Sequence, residues 1–183
     1  TRGPMTQTTP TAAAAGLPLA HLLPVTAALS PRGNLEVGGC DLAALAEQHG
    51  TPLYVYDLET VRRQCAMALG AFRAEHADTA VLYASKAFLN RPFARFIADQ
   101  GLGFDAVSGG EIAVLRAAGV DMGTVYFHGN NKSPEELALA VQARVGRIVI
   151  DNLGEVALVE AAATAQGRTQ GRSEEHTSEL QSR

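Results

Sequence analysis

The sequence predicts an α/β fold organised on a parallel sheet, and three observations carry that expectation. Short apolar runs recur at residues 80–85, 102–107, 124–127 and 147–150. Each run is trailed by a helical pattern of about three turns, so strands and helices alternate. The helical segments carry their own start and stop signals. The best specified is Ser133-Pro134-Glu135-Glu136, which supplies a capping serine, a proline at the first helical position and a glutamate able to reach back. A parallel connection needs a helix-length, right-handed return, so the pattern implies consecutive βα units. A repeat of roughly 22 to 24 residues suits a barrel or a doubly wound sheet equally. In both, the C-terminal ends of the strands gather on one rim, where sites are built.

Taken in order, residues 1–34 mix Thr, Pro, Ala and Gly without periodicity and read as a disordered leader. Met5 is the expected start, with the four residues before it read through from upstream. Residues 35–79 form a lead-in segment of helix, strand and helix. Asp41 caps a helix with Leu42, Leu45 and Ala46 on one face and Gly50 at its end. Residues 53–56 read as a strand introduced by Pro52, on which Tyr54 and Tyr56 are packing residues. Asp57 caps the next helix, whose buried stripe is Val61, Cys65, Leu69 and Phe72. Residues 80–170 carry the four units. Their helices start near Asn90 and Pro92, Gly110, Ser133 and Asn152, and the first two stop at Gly101 and Gly119. Phe93, Phe96 and Ile97 face inward from the first, Ile112 and Leu115 from the second. Phe88 and Leu89 pack beneath the helices.

Composition narrows the function. A chain of 183 residues, 46% hydrophobic, is about one domain with a sizeable core. The formal net charge of −4 offers no basic face for nucleic acid or an anionic membrane, and small-molecule chemistry is the expectation. Cys40 and Cys65 do not make a disulfide framework, no His or Cys spacing suits a metal, and the cytoplasm is the expected compartment. No apolar run approaches a membrane span.

The strand ends place Lys86, then Asp105 with Ser108-Gly109-Gly110-Glu111, then His128-Gly129-Asn130-Asn131-Lys132, then Asp151-Asn152 on the rim. Lys86 and Lys132 are the only lysines among fifteen basic residues. A lysine closing an apolar run must carry its ammonium to open space or lose its charge to burial, and a neutral amine is a nucleophile for carbonyl compounds. The glycine pair at 109–110 either binds an anion through free amides or serves a tight turn. Asp151 or Asn152 is expected as a helix cap, and Lys132 as a solvated or structural residue.

Three motifs in this order, Tyr83-Ala84-Ser85-Lys86-Ala87, Phe104-Asp105-Ala106-Val107-Ser108-Gly109-Gly110-Glu111 and Phe127-His128-Gly129-Asn130-Asn131-Lys132-Ser133, resemble the N-terminal half of the diaminopimelate decarboxylase family. Gly38-Gly39-Cys40-Asp41-Leu42 and residues 50–57 resemble its lead-in segment, and the likeness covers roughly residues 35–165. The lysine motif by itself is shared with alanine racemases and with ornithine and arginine decarboxylases. The resemblance implies the N-terminal part of an alanine-racemase-like (β/α)8 TIM barrel that binds pyridoxal 5'-phosphate, followed in the family by a β domain. It implies that Lys86 carries the cofactor covalently and that Asp105 is catalytic beside it. Asp105, Glu111 and His128 are implied as cofactor-site residues. It further implies decarboxylation of meso-2,6-diaminopimelate to L-lysine, an amino-acid substrate as the partner, and a homodimer.

The resemblance stops near Gly171. Residues 171–183 are expected to be an artefactual or disordered tail, because 172–182 read like a translated sequencing-library adapter. Half a barrel exposes strand edges, so the truncated chain is expected to be insoluble or inactive. Two alternatives are a related decarboxylase of basic amino acids and a non-catalytic pyridoxal-phosphate-binding barrel protein.

Overall fold

The computed structural model describes residues 19–174. The chain divides into two compact units, one up to Met67 and one from Ala68.

The first unit contains a three-stranded antiparallel meander, β1 (Ala28–Leu29), β2 (Leu35–Val37) and β3 (Cys40–Asp41), and helix α1 (Leu42–His49). Val37 pairs with Cys40 across the two-residue turn Gly38-Gly39, both at positive φ (60° and 76°), the backbone a tight hairpin requires and glycine supplies without steric cost. Asp41 ends the meander and starts the helix. One of its oxygens accepts from Ala43 and Ala44 N–H (2.8 and 3.2 Å), the other from the Asn34 side chain (2.7 Å). The Asn34 bond, followed by these amides, holds the Asp41 carboxyl below its ordinary pKa. Helix α2 (Leu58–Glu75) begins in this unit, with the Asp57 carboxylate accepting from Thr60 N–H at 3.2 Å.

Three expectations fail here. The leader was expected to be disordered to residue 34, yet β1 lies within it, closed onto β2 by a Ser30–Asn34 turn. Backbone pairing, which composition does not report, orders it. Residues 53–56 do not form a strand, since among the described residues no neighbour takes up their backbone ladder. Tyr54 and Tyr56 are accordingly exposed rather than packed, at 88% and 44%. On α2, Cys65 and Leu69 are buried as expected but Phe72 is 60% exposed, and burial raises the Cys65 thiol pKa.

The second unit settles the architecture. Strands β4 (Leu82–Ala84), β5 (Gly103–Ala106), β6 (Val125–Phe127), β7 (Arg147–Ile150) and β8 (Arg172–Glu174) are parallel and lie in sequential order. A doubly wound sheet reverses its strand order at a switch point, whereas a barrel winds in one direction, so this is barrel-type winding. Helices α3 (Arg91–Asp99), α4 (Gly109–Ala118), α5 (Pro134–Ala143) and α6 (Leu153–Ala165) connect the strands, each packed on the next. Phe104, Val125, Phe127 and Ile148 are fully buried with Ile97, Ile112, Leu115 and Leu137. Each such side chain contributes about 1.5–3 kcal/mol relative to exposure. Tyr83 meets Phe93 and Phe104 edge-on (5.6 and 6.4 Å between centroids), and Phe88 meets Phe93 at 5.1 Å.

Close strand approach fixes two glycines. A Cβ on Gly146 would lie 2.0 Å from the Gly123 carbonyl oxygen, and one on Gly103 2.4 Å from that of Thr124.

β8 occupies the start of the expected tail. Gln166, Arg168 and Gln170 hydrogen-bond carbonyls of α5 and the loop after it, leading the chain back to the β7 edge. Arg172 to Glu174 then pair through backbone groups alone, which their polar sequence does not advertise. Residues 175–183, the rest of the expected tail, and residues 1–18, most of the expected leader, lie outside the described residues.

Candidate functional site

The rim is built by the turns that follow the strands. β4 ends at Ala84, and residues Ser85–Ala87 turn in a short 3-10 helix, so Lys86 is the second residue beyond the strand and is exposed. Tyr83 anchors the turn by donating its hydroxyl to the Phe88 carbonyl at 2.9 Å. Ser85 is buried at 2%, and its hydroxyl has no hydrogen-bond partner among the described residues.

Asp105 stands opposite Ala84 in the β4–β5 register. Its flanks Phe104 and Ala106 point into the helix-packed core, so alternation turns Asp105 to the other face. His128 follows β6 and is held by its backbone, whose N–H donates to the Ala106 carbonyl at 2.8 Å. Its Nε2 lies 3.7 Å from Asp105 Oδ1. That is too long for a hydrogen bond, and Oδ1 is buried with no hydrogen-bond partner. Two polar atoms on neighbouring strand ends, Ser85 Oγ and Asp105 Oδ1, therefore lack a partner, and the exposed Lys86 follows Ser85 in the chain. Buried polar atoms are nearly always satisfied, and unsatisfied ones mark places where a ligand supplies the missing partner. The residues fit a carbonyl-bearing, polar cofactor.

Glu111 is placed differently. Its Oε2 accepts from the Val107 N–H at 2.7 Å, closing the β5–α4 turn. The same device recurs: Glu155 Oε2 accepts from Asp151 N–H (3.0 Å), and Glu136 accepts from Ser133 N–H and, with its other oxygen, from Gly109 N–H (3.1 and 2.9 Å). The glycine pair thus does not present a free amide at Gly109, because the Glu136 carboxylate already occupies it. Each glutamate lies three residues after its cap, Ser108, Ser133 or Asn152, whose side chain accepts from the glutamate N–H. This spacing was legible, yet only the Ser133–Glu136 pair had been recognised as a capping box. Asn152 is the cap that was expected.

Lys132 is not solvated. Its side chain is 1% exposed, its Nζ lies 2.9 Å from Glu155 Oε2, and it also donates to the Gly129 carbonyl. Nothing in the local sequence announces this pair, since its partners belong to consecutive units. Among the described residues no cluster suits a metal ion, and no helix is long and apolar enough to cross a membrane.

Known proteins resemble this chain over most of its length. The diaminopimelate decarboxylase of Bacillus subtilis is 42% identical over 144 residues, which cover 79% of this chain and 33% of that protein. That of Synechocystis is 39% identical over 82% of this chain and 34% of its own length. The crystal structure of diaminopimelate decarboxylase from M. jannaschii superposes with a TM-score of 0.73 at 30% identity, covering 81% of this chain and 35% of that one. The Helicobacter pylori enzyme, solved with L-lysine, gives 0.64 at 26% identity over 73% of this chain and 34% of its own. The chain thus spans about a third of the length of these relatives. The family model described as "Pyridoxal-dependent decarboxylase, pyridoxal binding domain" matches residues 58–180, past Gly171, where the resemblance was expected to end. With this match over two thirds of its length and its strands wound in barrel order, the chain belongs to the pyridoxal-dependent decarboxylase family, through its pyridoxal-binding domain.

Proposed function

We propose that this chain supplies the lysine-bearing rim of a diaminopimelate decarboxylase, which converts meso-2,6-diaminopimelate to L-lysine and CO2. The observation that carries the reading is that exposed Lys86 lies on the turn that ends β4, the strand paired with the one bearing Asp105, whose Oδ1 is unsatisfied and has His128 Nε2 at 3.7 Å. Pyridoxal 5'-phosphate, when bound, supplies a carbonyl that amines attack and a sink for the electrons released as a carboxylate leaves.

The chain's own residues do the rest. Lys86 offers its Nζ from a turn fixed by the Tyr83 bond, so the amine is presented without a folding step. Asp105, on the non-helical face of β5, holds a negative charge where an ammonium or a protonated ring nitrogen gains from it. His128 is the titratable group nearest that carboxylate and can hold a proton at Nε2. Glu111 acts one step back, keeping the turn after Asp105 closed through Val107.

Diaminopimelate is favoured over other basic amino acids because solved structures of that name reach 30% identity and a TM-score of 0.73, against 25% and 0.57 for the Selenomonas ruminantium lysine decarboxylase, and the curated relatives of that name reach 42%. The homodimer and the cytoplasmic location implied by the resemblance form part of this reading. Borohydride reduction of the pyridoxal-loaded product of the complete gene, followed by peptide mapping, places the pyridoxyl group on Lys86. A label on any other residue overturns the assignment. Release of CO2 from meso-diaminopimelate, and not from lysine or ornithine, tests the substrate.

A further inference from the structure

The second lysine of the rim has no place in the chemistry above, yet with Glu155 it is one of the two buried charged residues in the described structure. Lys132 and Glu155 have side chains only 1% and 5% exposed. Burying an ammonium and a carboxylate costs several kcal/mol per ion before their attraction is counted, so such a pair is weak evidence for stability and calls for another explanation. Its connections suggest one. Lys132 Nζ binds Glu155 Oε2 at 2.9 Å and donates to the carbonyl of Gly129, the residue immediately after His128. The same Glu155 oxygen accepts from Asp151 N–H at 3.0 Å, which fixes it to the end of β7. His128 is therefore held from both sides: its own N–H is tied to Ala106 on β5, and the carbonyl that follows is tied through Lys132 to α6. Gly129 has φ +118°, a conformation that L side chains rarely adopt, while the nearest atoms to a Cβ there, Val107 O and Lys132 Cγ, would stand off at 3.6 and 3.9 Å. Backbone direction, rather than lack of space, calls for glycine at this position.

We propose that the buried Lys132–Glu155 pair is a positioning device for His128, holding the loop 128–132 so that the imidazole stays against Asp105. Lys132 and Glu155 are positioning residues. They act through the Gly129 carbonyl and the end of β7, and neither touches the reacting groups. The inference rests on the reading of this rim as the pyridoxal site.

The test uses the pyridoxal-loaded product of the complete gene, labelled with 15N-histidine, the His128 ring signal being assigned by its disappearance in His128→Gln; every variant and the unmodified protein below are that product. The double variant Lys132→Met/Glu155→Met removes both charges together and leaves no unpaired ion. In a double variant that keeps the native circular dichroism spectrum, the His128 ring signal shifts, and kcat falls roughly 10- to 100-fold with KM little changed, as expected for a misplaced group. Lys132→Arg, which keeps a donor to Gly129 and to Glu155, restores part of the loss. A folded double variant with an unchanged ring signal and kcat overturns the proposal. Should the double variant fail to fold, Glu155→Gln, which keeps an acceptor for Asp151 and loses the charge, is read in the same way: a shifted ring signal supports the proposal and an unchanged one overturns it. If the unmodified protein releases no CO2, the functional reading fails, and the ring signal alone still decides the role of the pair.

Discussion

The two lysines of this chain stand on the same rim in opposite surroundings. Lys86 projects from a 3-10 turn into the open, and among the described residues no ion pair engages it; Lys132 is locked between Glu155 and the Gly129 carbonyl with 1% of its side chain exposed. The contrast separates two uses of one residue type. An amine that must meet a carbonyl compound needs access and an uncommitted lone pair. An ammonium committed to a carboxylate and a carbonyl has neither, but it can fix two loops in one arrangement. Accessibility, rather than sequence neighbourhood, distinguishes the lysine proposed to react from the structural one.

Five substitutions break or sharpen this contrast, with effects in decreasing order. Lys86→Ala should abolish both CO2 release and borohydride-stable attachment of pyridoxal. Its unfolding free energy should stay within about 0.5 kcal/mol of the parent in urea titrations, because an exposed side chain supports no packing. Lys132→Met should do the reverse to stability, costing roughly 3–5 kcal/mol by leaving Glu155 buried and unpaired. Adding Glu155→Met should recover much of that loss, and the midpoints of urea unfolding check both. A Lys132→Met protein as stable as the parent would mean that Glu155 reaches water.

Glu136→Ala tests whether rim loops are closed by caps as well as by the ion pair. It frees the N–H groups of Ser133 and Gly109 and should cost about 1–2 kcal/mol, measured by thermal unfolding. The smallest effect belongs to the lead-in helix, where Asp57→Ala should cost about 1 kcal/mol at neutral pH. Burial alone would raise the Asp57 pKa, but hydrogen bonds from Thr60, Thr26 and the backbone outweigh it and hold the carboxyl below its ordinary 3.8. A carboxyl whose folded pKa is depressed contributes stability above its unfolded value and loses it as pH falls through the lower, folded one. The difference between parent and Asp57→Ala should therefore be constant above about pH 5 and shrink below about pH 4 in paired unfolding titrations.

Much of the second unit was legible because it is written in local signals. Starts near Asn90, Gly110, Ser133 and Asn152 and apolar runs of strand length located β4 to β7 and α3 to α6, and the structure has them there, with Ser108 as the cap of α4. The first unit was read less well. Residues 53–56 have the composition of a strand, but a strand exists only where a neighbour pairs with it. β1 and β8 lack strand composition and exist because a neighbouring edge takes their backbone groups.

For the site, order along the chain brought Lys86, Asp105 and His128 to one rim, since parallel strands deliver every C-terminal end to the same side. Sequence also marked the glutamates, three residues after each cap. Glu111 serves its own turn, a local contact, whereas the distant partners of the other two were decided only by tertiary structure: Glu136 fills the amide of Gly109, and Glu155 neutralises Lys132. The local code fixes what each residue can offer. Whether a lysine or a carboxylate is exposed or paired depends on residues 20 or more positions away, and only the packed rim brings those together.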